Sequence, residues 1–208
     1  MRALLPLFLR LEGRRVLVVG GSAMAALRVR QLVDAGARPE VVAPEVREEI
    51  VPLAAAVHRR PFRDDDLEGA WLAVAAATPE VNRMVARAAE ARRIFVNAVD
   101  DPASASAYAG AVLRRGGVLI AVSTEGRAPA LAGLLREALG ALLPDDIGTW
   151  VACAQALRSR WKRSRVPLEE RRPLLLEALD ALYRARSPRS PAPRAVEGEQ
   201  HAGEGARP

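Results

Sequence analysis

The chain has 208 residues, half of them apolar but only 4% aromatic, with one cysteine and a net charge of +6. That length carries one compact domain plus a smaller appendage, packed by Leu, Val and Ala, and the lone Cys153 excludes a disulfide framework and fits a reducing, cytoplasmic setting. No apolar run approaches the roughly 18 residues of a membrane span, and the positive charge, almost all arginine, points to an anionic partner without the aromatic-plus-basic pattern of a nucleic-acid module.

In chain order, Leu4 to Leu11 reads as an apolar lead-in covering a sheet edge. It has a faint signal-peptide flavour, but Arg10 and Glu12 interrupt it and no small-residue cleavage site follows. Val16 to Val19 reads as a buried parallel strand, stopped by Gly20-Gly21-Ser22 and followed at once by a helix-period segment from Ala23 to Ala35. Pro39 to Ala43 is a second strand, Val46 to Ala56 a second helix, and Val57 to Phe62 a short edge strand, given Pro61. Asp64-Asp65-Asp66 reads as a solvated turn. Trp71 to Ala77 is a central strand, Thr78-Pro79-Glu80 starts the next helix, and Ile94 to Val99 is the fifth strand, ending in Asp100-Asp101-Pro102. Five βα-type repeats predict an α/β fold with a doubly wound parallel sheet. After Asp101 the rhythm changes to a hairpin, Ala107–Arg114 with Gly117–Ser123. Three helical segments follow, Ala130–Leu143, Asp145–Ser164 and Pro167–Ala185, the last interrupted by Pro173. From Arg186 onward the composition is that of a disordered tail.

The strand–glycine turn–helix unit is the opening of a dinucleotide-binding fold. Gly20 and Gly21 allow the tight turn, Ser22 stands where a second motif glycine is usual, and the helix N-terminus beyond it suits a diphosphate. Ala25 is small enough for close helix–strand packing. The same residues also fit a plain strand-to-helix turn of another α/β domain. Glu45, just past the second strand, is the acidic candidate for the ribose hydroxyls, and no arginine sits at the strand end itself, which favours NAD over NADP. Gly20, Ala43, Ala77 and Asp100 all fall at strand carboxyl ends, where such folds bind ligand. From the residues alone Asp100 is equally a proton acceptor or a turn cap before Pro102. His58 and His201 are the only histidines, so ligand spacing gives no resident metal site.

Taken together, LPLF with LEG, VLVVGGSAMAALRVRQLVDAGA, VVAPEV, WLAVAAATPEVN, IFVNAVDDP and LIAVSTEGRAPALAGLLRE resemble the siroheme-synthase amino-terminal family, the precorrin-2 dehydrogenase/sirohydrochlorin ferrochelatase group. The likeness runs from residue 1 to about 185. It implies a Rossmann-type NAD-binding domain over 1–112, a strand-hairpin dimerisation element over 113–144 exchanged across a homodimer, a helical carboxyl-terminal domain over 145–186 and a tail over 187–208. The implied activity is NAD-dependent oxidation of precorrin-2 to sirohydrochlorin. Some members also insert ferrous iron, which would be a substrate.

The family's catalytic aspartate falls on Asp100. Its nucleotide contacts fall on Ala23, Met24, Pro44 and Glu45, beside Gly20, Gly21, Ser22 and Thr78 of the strand-end turns. Arg28, Thr124 and Arg127 are the substrate candidates, arginines being suited to a polycarboxylate rim. The sequence departs from the family at Ser22, Leu27, Glu125 and Ala128, and Glu125 sets a negative charge near an anionic substrate. The methyltransferase portion of larger fused members has no counterpart, so the chain is not expected to make precorrin-2. Two other readings use the same residues: a non-catalytic NAD-sensing module, which needs no carboxylate at the fifth strand end, and a chelatase without dehydrogenase activity.

Overall fold

A computed structural model describes residues 4–186 of the chain; the expected disordered tail lies outside them. Five strands, β1 (Arg15–Val19), β2 (Arg38–Val42), β3 (Ala56–His58), β4 (Leu72–Ala75) and β5 (Phe95–Ala98), form one parallel sheet in the order β3-β2-β1-β4-β5. β1 and β4 are apolar almost throughout because both their faces are covered. On one face lie helix α1 (Ala23–Asp34), through Ala25, Ala26, Val29 and Leu32, and Ile50. On the other lie helix α2 (Pro79–Ala91), through Val85, Ala88 and Ala89, and Leu67. Each large aliphatic side chain removed from water this way contributes about 1.5–3 kcal/mol.

Only two of the four crossovers are α-helices. The stretch expected as a second helix, Val46 to Ala56, makes just a 3-10 turn at Glu48–Ile50. Pro52 has no N–H to continue a helical ladder, and the Ala55 N–H already bonds to the Pro39 carbonyl, 2.7 Å, which draws the alanines into β3. The aspartate run forms a second 3-10 turn, Asp64–Leu67, and it is not simply solvated. Asp66 is nearly buried and takes both guanidinium nitrogens of Arg60, at 2.6 and 2.9 Å. Arg15 ties the start of β1 to Glu40 at 2.8 Å and to the Asp66 and Glu68 carbonyls. Trp71 lies outside β4, exposed, under the guanidinium of Arg14 at 3.3 Å.

The lead-in does not cover a sheet edge. Leu5, Leu7, Phe8 and Leu9 are exposed, and only Leu11 joins the core. The outer edge of β5 is instead closed by Ser106 and Ala107, which exchange hydrogen bonds with Val96 at 2.8–2.9 Å.

Past β5 come a hairpin, β6 (Ala111–Arg115) and β7 (Val118–Val122), and helix α3 (Pro129–Leu142). Gly116 and Gly117 at the hairpin tip both have positive φ, +53° and +82°, as a two-residue turn of the I′ kind requires. The described chain divides into two units. The first runs to Arg114 and resumes over Leu119–Leu143; the second takes Arg115–Val118 and the residues from Pro144 on. In the second, helices α4 (Ile147–Arg163) and α5 (Leu168–Arg186) pack together. The Arg171 side chain closes their connection on the Val166 carbonyl, 2.8 and 3.0 Å. α5 runs through Pro173 without interruption; that residue is exposed, so the carbonyl deprived of its N–H partner lies near solvent.

The hydrogen bond from Arg60 holds the Asp66 carboxyl below the usual carboxylate range; burial opposes this and the Arg63 amide assists it. A depressed pKa stabilises the fold above the ordinary carboxylate range and the contribution is lost as pH falls through the lowered value. We therefore expect Asp66→Asn to cost about 1–2 kcal/mol in urea unfolding at neutral pH, with the two proteins converging in acid.

Candidate functional site

The strands are in register at their carboxyl ends. Val42, Val19, Ala75 and Ala98 stand side by side across β2, β1, β4 and β5. The ladder continues one residue further, with Gly20 N–H on Val42 (3.0 Å), Ala76 N–H on Val19 (2.8 Å) and Val99 N–H on Ala75 (2.8 Å). At about 4.8 Å per strand, the tips of β1 and β5 lie roughly 10 Å apart on one edge.

The glycine turn fills the gap between two neighbouring loops. A Cβ on Gly20, whose φ is +130°, would sit 2.2 Å from the Ala76 carbonyl oxygen. A Cβ on Gly21 would sit 1.9 Å from the Glu45 carbonyl oxygen and 2.8 Å from the Val46 Cα. Arg47 N–H then bonds to the Gly21 carbonyl at 3.1 Å. Both glycines are therefore required by backbone–backbone approach, in addition to any need of a ligand.

Ser22 does not block this turn. It is the N-cap of α1, exposed, its hydroxyl accepting from Ala25 N–H at 3.4 Å and its carbonyl from Ala26 N–H at 3.0 Å. The Ala23 and Met24 amides keep no acceptor among the described residues, and the first turn of α1 holds no acidic side chain. Free N–H groups at the positive end of a helix dipole suit an anion. α2 offers the contrast. Its N-cap, Thr78, accepts from Val81 N–H, and Glu80 occupies the first turn, its carboxyl held below the usual range by its own amide and by the Thr78 hydroxyl. The Thr78 side chain is thus engaged in capping.

Pro44 and Glu45 are exposed beyond β2, and the Glu45 carboxylate makes no ion pair among the described residues. At the other end of the row, Asp100 is exposed and takes φ +57°, a left-handed conformation that Asp tolerates better than most residues. The cap before Pro102 is made by its neighbour, Asp101, which accepts from Ser104 N–H. Asp100 is left with no hydrogen bond among the described residues, and its charge is felt by Arg28. Burial lowers the pKa of the Arg28 guanidinium, and Asp100 opposes that shift. The Arg28 Nε is buried without a partner, while Nη1 donates to Gln31 at 2.9 Å.

The turn after the hairpin seats on the loop that follows Asp100. Gly126 packs against Pro102 and Tyr108, and the Tyr108 hydroxyl donates to the Pro102 carbonyl at 3.0 Å. Within that turn the Thr124 hydroxyl accepts from Ala128 N–H, and Arg127 pairs with Glu125 at 3.1 Å. Asp100, Thr124 and Arg127 thus belong to adjoining segments. The buried Asn82, 2% exposed, was not assigned a role from the sequence; its Oδ1 accepts from Ala77 N–H at 3.1 Å and fixes the loop beyond β4. The signal was available in its spacing, one turn after the Thr78 cap on the buried side of α2. Among the described residues no three His, Cys, Asp or Glu side chains gather as a metal site, and no helix is long and apolar enough to cross a membrane.

A parallel sheet in this strand order, a glycine turn at its switch point and a helix N-terminus with free amides define a dinucleotide-binding domain of the Rossmann type. The chain belongs to the family described as putative NAD(P)-binding, whose model matches residues 7–111. Beyond that match, it is 43% identical over 173 residues to siroheme synthase 3 of Aeromonas hydrophila subsp. hydrophila, covering 81% of this chain and 37% of that protein. It is 40% identical over 173 residues to the siroheme synthase of Escherichia coli O139:H28, covering 81% and 38%. The chain spans less than two-fifths of the length of these curated relatives. Among solved structures it is similar to SirC, a precorrin-2 dehydrogenase, with a TM-score of 0.67 and 28% identity over 88% of this chain and 92% of that one.

The residues present fit NAD: free amides suit a diphosphate, an exposed carboxylate at Glu45 suits ribose hydroxyls, and the strand ends stand in a row on one edge. Gly21→Ala should weaken NADH binding, followed by fluorescence titration, at least about tenfold, because the Glu45 loop must move away from the turn. Gly133→Ala, in α3 with open space around the new methyl, should leave binding unchanged and leave stability equal or higher.

Proposed function

We propose that the chain oxidises precorrin-2 to sirohydrochlorin with NAD, as an NAD-dependent dehydrogenase. What carries this reading is Asp100: a carboxylate free of any capping duty, on the same edge of the sheet as the dinucleotide turn. The likeness to SirC, which spans nearly the whole of both chains, supports it.

The reaction removes a hydride from one ring position of the reduced tetrapyrrole and a proton from another. NAD, when bound, accepts the hydride. Asp100 accepts the proton, exposed and without a hydrogen-bond partner among the described residues. Asn82 keeps the loop after β4 in place. The substrate's carboxylates are held by Arg127 and the Thr124 hydroxyl. Because Arg127 is paired with Glu125, a substrate carboxylate there exchanges for Glu125 and does not meet a bare cation.

We extend the reading to a homodimer. α3 leaves Leu131, Leu134, Leu135 and Leu142 exposed, an apolar stripe at helical spacing. A cytoplasmic setting is supported by the single cysteine.

A sensor module would have no use for a free carboxylate at β5. The test is turnover of precorrin-2 with NAD, followed by sirohydrochlorin absorbance. Asp100→Asn should lower kcat about 10²- to 10⁴-fold with NADH affinity within about twofold of the parent. A fully active Asp100→Asn protein overturns the assigned role. Siroheme formation from sirohydrochlorin and ferrous iron, with no precorrin-2 oxidation, moves the assignment to chelation.

A further inference from the structure

NAD and NADP differ by one phosphate on the ribose that lies beyond β2 in this type of fold. Discrimination between them is therefore a matter of charge at that corner. Glu45, exposed and unpaired among the described residues, favours hydroxyls over phosphate there. Yet Arg47 stands only two residues on. Its backbone N–H is fixed on the Gly21 carbonyl, 3.1 Å, so its side chain starts beside the dinucleotide turn, and that side chain is more than half exposed. A guanidinium so placed is what a 2′-phosphate would recruit.

Arg47 is not left available. Its Nε donates to Glu49 Oε1 at 2.8 Å, and the other oxygen of Glu49 takes Arg30 Nη2, from α1, at 3.3 Å. The adjacent Glu48 takes Arg59, just past β3, at 3.0 Å. Two consecutive glutamates of the 3-10 turn thus hold three arginines around the carboxyl end of β2.

We propose that Glu49 is a cofactor-specificity residue: by holding Arg47 and Arg30 it withholds them from a 2′-phosphate, and with Glu45 it reserves the site for NAD. The inference rests on the dinucleotide reading of the glycine turn and is independent of the dehydrogenase one. Glu49 touches no part of the bound NAD in this account. It acts through the arginines it occupies, so its effect appears in NADP affinity alone.

The test is fluorescence titration of NADH and NADPH at low salt with the parent, Glu49→Gln and the Arg47→Gln/Glu49→Gln double variant. The parent should prefer NADH. Glu49→Gln should tighten NADPH about three- to fivefold, the range an exposed ion pair commands, with NADH unchanged within about twofold, which also reports an intact site. Raising salt should shrink the gain, and removing Arg47 as well should remove most of it, leaving only what the released Arg30 supplies. An NADPH affinity unmoved by Glu49→Gln, or a gain shared equally by NADH, overturns the proposal. A gain that persists undiminished without Arg47 overturns the route through Arg47. A parent that binds neither dinucleotide overturns the cofactor reading beneath it, and sirohydrochlorin formation plays no part in any of these outcomes.

Discussion

The site depends on two backbone contacts that leave no room for a side chain. Gly20 is pressed against the Ala76 carbonyl and Gly21 against the Glu45 carbonyl, so the turn after β1 touches the loops after β4 and β2 at once. This locks three strand ends into one surface and fixes where α1 begins. The free Ala23 and Met24 amides, the Glu45 carboxylate and, one strand further, Asp100 follow from that placement. A missing Cβ here is a packing requirement that operates before any ligand arrives.

The electrostatics of the edge are arranged by what is left unbonded. α1 has no acidic residue in its first turn, whereas α2 caps and neutralises its own N-terminus with Thr78 and Glu80. The two helices enter from opposite faces of the sheet, and only one of them keeps an anion site. Likewise Asp101 takes the cap that the chain needs before Pro102, which frees Asp100. Around β2 the reverse holds: Glu48 and Glu49 occupy the arginines, and Glu45 has no ion pair among the described residues.

Much of this was legible in the sequence where local chemistry decides. The strand–Gly-Gly-Ser–helix unit and the Thr78-Pro79 helix start each declare themselves through backbone constraints that few residues satisfy, whereas the hairpin turn falls one residue later than the strand pattern suggests, on Gly116-Gly117. The helix expected over Val46 to Ala56 failed because an apolar run with Pro52 in it serves a strand as readily as a helix, and the sheet had a hydrogen-bonding place for Ala55. The paired role of Asp66 is hidden because its partner, Arg60, comes from a separate turn; three consecutive aspartates read the same whether one is paired or none. The lead-in is exposed although its residues are apolar, because an apolar run does not specify what it packs against. Glu49 carries no sequence signal for a related reason: its meaning lies in Arg47 and Arg30, and pairing of that kind is a property of the folded chain.

The central claim is spatial: a dinucleotide held by the first turn of α1 delivers its nicotinamide to the side of the sheet where Asp100 stands. The most direct measurement is a crystal structure of the chain with NAD bound. The account predicts the diphosphate on the Ala23 and Met24 amides, the adenine ribose at Glu45, and the nicotinamide beyond β4, facing Asp100. A nicotinamide directed toward β3, or a diphosphate seated away from the Gly20–Ser22 turn, would contradict it.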